Sequence, residues 1–120
     1  MNEPRQRGTG PVPMPLNVSE DGDALLVTAS LPGVGPDDVE LSCQDGILTI
    51  HGRARVAERE YLHQEIHGIE YLRRVSLPPD SRFDQAEASA EFGLVTIRIP
   101  KARPRAPEKI RIQITRKQPG

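Results

Sequence analysis

The sequence predicts an all-β fold, an antiparallel β-sandwich, and three observations carry that expectation. Short runs of alternating apolar and polar residues recur at roughly ten-residue spacing, turn signals separate them, and no stretch has the period of a long helix. A chain of 120 residues holds one domain of ordinary size. With 36% apolar and 28% charged residues it can build a core, but a lean one.

The elements follow in chain order. Residues 1–15 read as a disordered arm, because Pro4, Gly8, Gly10, Pro11, Pro13 and Pro15 deny them both helix and ladder. From Leu16 the texture changes to period two. Leu25, Val27, Ala29 and Leu31 share one strand face and Leu26, Thr28 and Ser30 the other, until Pro32-Gly33 stops the run. Val39, Leu41 and Cys43 alternate with Glu40, Ser42 and Gln44. Asp45-Gly46 marks a hairpin turn, and Ile47 to His51 runs back from it. Residues 53–60 are charged and poor in apolar side chains, as a loop is. Tyr61-Leu62-His63-Gln64-Glu65-Ile66 fits a short strand or a helical turn, and pattern alone leaves both open. Tyr71 to Leu77 is a strand stopped by Pro78-Pro79. A second hairpin joins Ala86–Glu91 to Leu94–Ile99 around Phe92-Gly93. Pro100, Pro104 and Pro107 make residues 100–108 an extended linker. It carries a strictly alternating Ile110-Arg111-Ile112-Gln113-Ile114, either a tethered docking segment or the last strand of the domain's own sheet.

Charge is distributed unevenly. Residues 11–96 carry fifteen acids against six bases, whereas from Ile97 onward eight Lys and Arg face Glu108 alone. An acidic body and a basic tail favour contact between the body of one copy and the tail of another. The tail lacks aromatic side chains for base stacking, which argues against nucleic acid as its partner. No run approaches the ~18 apolar residues of a membrane span and no secretory h-region opens the chain, so the simplest compartment is the cytoplasm.

Chemistry is sparse. A lone cysteine excludes an internal disulfide framework and an all-cysteine zinc site. Cys43 shares the apolar face of its strand with Val39 and Leu41, so it is expected as an inert core thiol. His63, Glu65 and His67 could in principle hold zinc, but a solvated strand face beside a charged loop explains them as well. The serines lack a Gly-x-Ser-x-Gly setting. Gly33-Val34-Gly35 is followed by Pro36-Asp37-Asp38 and no lysine, a setting that repels phosphate. No cofactor, metal or catalytic residue is expected, and the chain is not read as an enzyme. What remains is recognition surface: in β-augmentation, backbone bonds to a sheet edge supply affinity and alternate side chains supply specificity.

Four motifs then resemble a known family. Leu31-Pro32-Gly33-Val34 with Asp37-Asp38-Val39-Glu40-Leu41, and Gly46-Ile47-Leu48-Thr49-Ile50-His51-Gly52, resemble the α-crystallin domain of small heat-shock proteins. Tyr71-Leu72-Arg73-Arg74-Val75-Ser76-Leu77-Pro78 is similar to its aromatic-x-Arg-x-x-x-Leu-Pro segment. Ala88 to Lys101 is similar to its Ala-x-x-x-Gly-Val-Leu-Thr-Ile-x-x-Pro-Lys signature, with Leu94-Val95 replacing Val-Leu. The likeness runs from about Leu16 to Ile114.

The resemblance implies an immunoglobulin-like sandwich at residues 16–101 between the arm (1–15) and a flexible extension (102–120). It implies an ATP-independent holdase for partly unfolded proteins, of the bacterial type. Tyr61, Leu62, His63, Gln64, Glu65 and Ile66 then form a strand exchanged with a partner to make a homodimer, and Arg73 holds a carboxylate across that interface. The Ile-x-Ile motif falls on Ile110 and Ile112, with Ile114 a second register. It docks beside the hairpin whose Leu94, Val95, Ile97 and Ile99 are the groove and client candidates. The arm is short and has no Phe, so assembly is expected to stop at the dimer or a small oligomer. A second account, a co-chaperone-like adaptor for one folded partner, shares the sandwich but generally lacks the long loop and the tail motif.

Overall fold

The computed structural model describes residues 10–102. Seven strands form: β1 (Leu16–Asp21), β2 (Ala24–Ser30), β3 (Val39–Gln44), β4 (Ile47–Ala54), β5 (Ile69–Ser76), β6 (Glu87–Glu91) and β7 (Leu94–Pro100). They make a four-stranded sheet ordered β1-β2-β7-β6 and a three-stranded sheet ordered β3-β4-β5, antiparallel throughout. Two single 3-10 turns, Pro36–Asp38 and Phe83–Gln85, sit in the connections. The all-β sandwich expected from alternation and turn spacing is the fold observed.

Period two decides which side chains enter the core. Leu25, Val27 and Ala29 of β2 pair with Ile99, Ile97 and Val95 of β7, and all six are buried. Leu48 and Ile50 of β4 face them from the other sheet. No polar or charged residue is buried among the described residues. The two hairpin turns read from the sequence form with the same backbone. Asp45 and Gly46 have φ of 53° and 76°, and Phe92 and Gly93 have φ of 54° and 77°. Positive φ at both central residues is the type I′ arrangement, whose twist matches that of the flanking strands.

Several expectations need correction. The prolines and glycines of residues 1–15 predict an arm without structure, yet its last residues dock on the sandwich. Val12 bridges Tyr71 in parallel, donating its N–H to Glu70 O at 2.9 Å and accepting from Leu72 N at 2.9 Å. Pro11 and Pro13 have no N–H to give, but Val12 between them keeps both backbone groups free for pairing. Met14 is then only 1% exposed, a burial that contributes about 2 kcal/mol. Cys43 is exposed, not a core thiol, because the far end of outer strand β3 is left uncovered. β4 continues to Ala54, into the segment expected as loop, and Pro100 is the last residue of β7, paired with Ala24. Lys101 bridges Ser81, so the extended linker cannot start at Pro100.

Candidate functional site

A sheet of four strands facing a sheet of three leaves part of its inner face uncovered. On β1, Val18 pairs with buried Val27 and shares its face, yet Val18 is 44% exposed. On β6, Ala88 and Ala90 pair with buried Ile97 and Val95 and are themselves exposed. On β3, Leu41 is half-buried and Cys43 exposed. Among the described residues no further strand pairs with the outer edges of β1, β3 or β6. Unpaired N–H and C=O groups beside apolar side chains are a template for another chain. A cleft of about 160 Å3 opens near one end, lined by Leu31, Val34, Pro36, Ala90, Phe92 and Leu94 among others.

The four groove candidates separate on this geometry. Val95, Ile97 and Ile99 point into the core and are 5%, 2% and 0% exposed, so they are corrected from surface groove to core. The reason is parity: Leu94, Thr96 and Arg98 face outward on β7, and only Leu94, at 43%, offers apolar surface.

The segment between β4 and β5 presents the largest exposed aliphatic side chains. Residues 61–66 have no regular structure within the protomer. Their hydrogen bonds stay local: the Tyr61 hydroxyl donates to Ala57 O, Gln64 Nε2 donates to Ile66 O at 3.0 Å, and His63 Nε2–H donates to Glu65 Oε2 at 2.7 Å. Leu62 is fully exposed and Ile66 is 77% exposed. Tyr61, Leu62, His63, Gln64, Glu65 and Ile66 are thus contiguous and unpaired with either sheet, with Tyr61 half-buried and the other five exposed.

Arg73 lies on β5 opposite Ile50, and its Nη1 donates to the Met14 carbonyl at 2.7 Å. This bond fastens the incoming segment to the three-stranded sheet. Across the outer face of that sheet, His51 Nε2–H donates to Glu70 Oε2 at 2.6 Å, with Glu40 3.9 Å from His51 Nδ1 and Arg53 4.0 Å from Glu70. The His51 bond chiefly, with Arg53 adding a smaller attraction, holds the Glu70 carboxyl below its ordinary range. Sequence reading missed this network. Glu40, His51 and Glu70 show the right parity in their strands, but only register places them side by side.

Nothing in this arrangement forms a reaction centre. Among the described residues no three of His, Cys, Asp and Glu come together as a metal site. Of the histidine–carboxylate pairs, His63–Glu65 is exposed and His51–Glu70 is half-buried on the outer sheet face. Ile110, Ile112 and Ile114 lie outside the described residues.

Comparison with known proteins agrees in sequence and in fold. A family model described as the Hsp20/alpha crystallin family matches residues 17–115. The chain is 34% identical over 106 residues to a 17.4 kDa class I heat shock protein of Oryza sativa subsp. japonica, covering 83% of this chain and 68% of the relative. Over 101 residues it is 31% identical to a 16.9 kDa class I heat shock protein of the same plant, covering 80% and 68%. Among solved structures, heat shock protein 16.0 from Schizosaccharomyces pombe superposes with a TM-score of 0.65 at 27% identity, over 88% of this chain and 99% of that one. The hspA of Xanthomonas axonopodis superposes with a TM-score of 0.62 at 29% identity, over 78% and 96%. The two curated relatives are plant class I proteins, so they lend no support to the expected bacterial type.

Proposed function

We propose a function from one premise: this chain belongs to the Hsp20/alpha crystallin family, which is a family of chaperones and not of enzymes. Within that role the chain acts as an ATP-independent holdase, binding partly unfolded proteins and keeping them from aggregating. The observation that carries this reading is exposed apolar surface on a domain whose outer strand edges at β1, β3 and β6 are unpaired among the described residues. Leu62, Ile66, Val18 and Leu94 are all exposed, and among the described residues no three of His, Cys, Asp and Glu group as a metal site. Such surface suits extended, non-native polypeptide, whose free backbone groups pair with an edge while its apolar side chains leave water.

Assembly follows the same logic. The segment Tyr61–Ile66 reaches a second protomer and pairs there as a strand, completing a homodimer. β1 offers an edge of six residues with Val18 beside it. Arg73 spends Nη1 on its own Met14 and keeps the rest of its fork for a carboxylate across that interface. Ile110 and Ile112, or Ile112 and Ile114, dock on a neighbouring dimer beside the β6–β7 hairpin, where Ala88 and Ala90 overhang the facing sheet. Two isoleucines contribute only a few kcal/mol before ordering costs, so such contacts exchange and act through multivalency. No helix among the described residues is long and apolar enough to cross a membrane, and the cytoplasm is the proposed compartment.

The test is direct. A heat-aggregating client is warmed with and without the protein, in the absence of ATP, and light scattering is followed. Suppression near stoichiometric ratios is expected. Scattering that rises unchanged defeats the holdase reading.

A further inference from the structure

The two I′ turns of this fold are built from different chemistry. At the first central position one has Asp45, a residue whose short polar side chain tolerates the left-handed region, and the other has Phe92. A bulky aromatic residue at φ of 54° is strained, and Phe92 recovers nothing from packing, since it is 91% exposed. It is also one of only four aromatic residues in the chain. Folding therefore gives no reason for a phenylalanine at this place.

Its surroundings supply one. Phe92 stands at the mouth of the apolar cleft that Leu31, Val34, Pro36, Ala90 and Leu94 line with it. Among the described residues the only charged one lining the cleft is Glu91, and Asp37 follows Pro36 directly in sequence. Among the described residues no lysine or arginine lines it. An aromatic side chain beside a small apolar pocket, with one carboxylate at its rim, has the composition of a binding hot spot.

We propose that Phe92 is a specificity-determining residue: with Leu94 and the cleft it captures extended segments of partly unfolded protein in which apolar residues are flanked by lysine or arginine. The pocket takes an aliphatic or aromatic side chain, the Phe92 ring covers it, and Glu91 and Asp37 pair with the flanking cations. The inference rests on the holdase reading and adds to it a preferred class of client segment.

The test uses the full chain and a fluorescein-labelled decapeptide of alternating Leu/Phe and Lys, beside the same peptide with Glu in place of Lys. Wild type should bind the lysine peptide and leave the glutamate peptide unbound. Phe92→Asn suits the turn better, so its Tm should hold or rise by a few degrees while affinity for the lysine peptide falls about tenfold. Phe92→Tyr keeps the ring and should stay within about threefold of wild type. Unchanged affinity in Phe92→Asn overturns the proposal, as does equal binding of both peptides or failure of wild type to bind either. A change in native mass without a change in peptide affinity also overturns it, because Phe92 would then be a contact between copies. The two readings fail separately. If Phe92→Asn binds the peptide as wild type does and both suppress scattering, the patch is refuted and the holdase stands. If wild type binds the lysine peptide through Phe92 yet scattering rises unchanged, the holdase is refuted.

Discussion

Val27 and Val18 are the same residue, on the same face of the same sheet, directly opposite each other across the β1–β2 ladder. Val27 is 0% exposed and Val18 44%. Nothing in either side chain distinguishes them. The difference is coverage, since β2 is an inner strand beneath the facing sheet and β1 lies beyond its reach. One position stabilises the protomer, and its neighbour stays open to solvent. The same division runs along the opposite side of the sheet, where Ile97 is buried and its partner Ala88 is exposed.

Substitutions can break or sharpen that contrast. The largest effect should come from the covered centre. Ile50→Ala leaves a cavity beside side chains that are themselves buried, and urea denaturation should show a loss of about 3–4 kcal/mol. Gly52→Ala tests coverage from the other direction. A Cβ there would stand 2.6 Å from Leu31 Cδ2, and Leu31 is 1% exposed, so repacking should cost about 1–3 kcal/mol. The contrast itself is read by the two valines. Val27→Ala should cost about 2 kcal/mol and Val18→Ala no more than about 0.5, and equal costs would dissolve the distinction.

Leu62→Asp should leave protomer stability almost unchanged, while native mass measured on dilution shifts toward the monomer. A dimer as resistant to dilution as wild type would remove the exchanged segment from the interface. The smallest effect belongs to Glu70. Its carboxyl is held below the ordinary 4.5, so its contribution is complete above that value and is lost as pH falls through the lower folded value. Glu70→Gln should therefore flatten the acid side of the stability–pH curve without altering the plateau slope near neutrality.

Most of the fold could be read from the sequence because its signals are local. Alternation in Leu25 to Leu31 and in Leu94 to Ile99 depends on the strand period, and Asp45-Gly46 depends on turn chemistry. Each needs no knowledge of the rest of the chain. The misses share a different cause. Cys43 has the parity of a core residue but sits at the uncovered end of an outer strand. Met14 lies among prolines that deny regular structure, yet Val12 finds one parallel bridge and carries it into the core. Likeness to a family groove places Val95, Ile97 and Ile99 at the surface, whereas their parity alone points inward. The pair His51 and Glu70 awaited register, which brings together residues 19 apart in sequence.

The sequence by itself determined where strands begin, where they turn and which face of each is apolar, because those properties arise from the two-residue pleat and the allowed φ of one or two residues. Only the tertiary structure decided which apolar faces are sealed and which remain open. Burial is a property of the pair of sheets, and four strands over three leave an overhang that no single strand encodes.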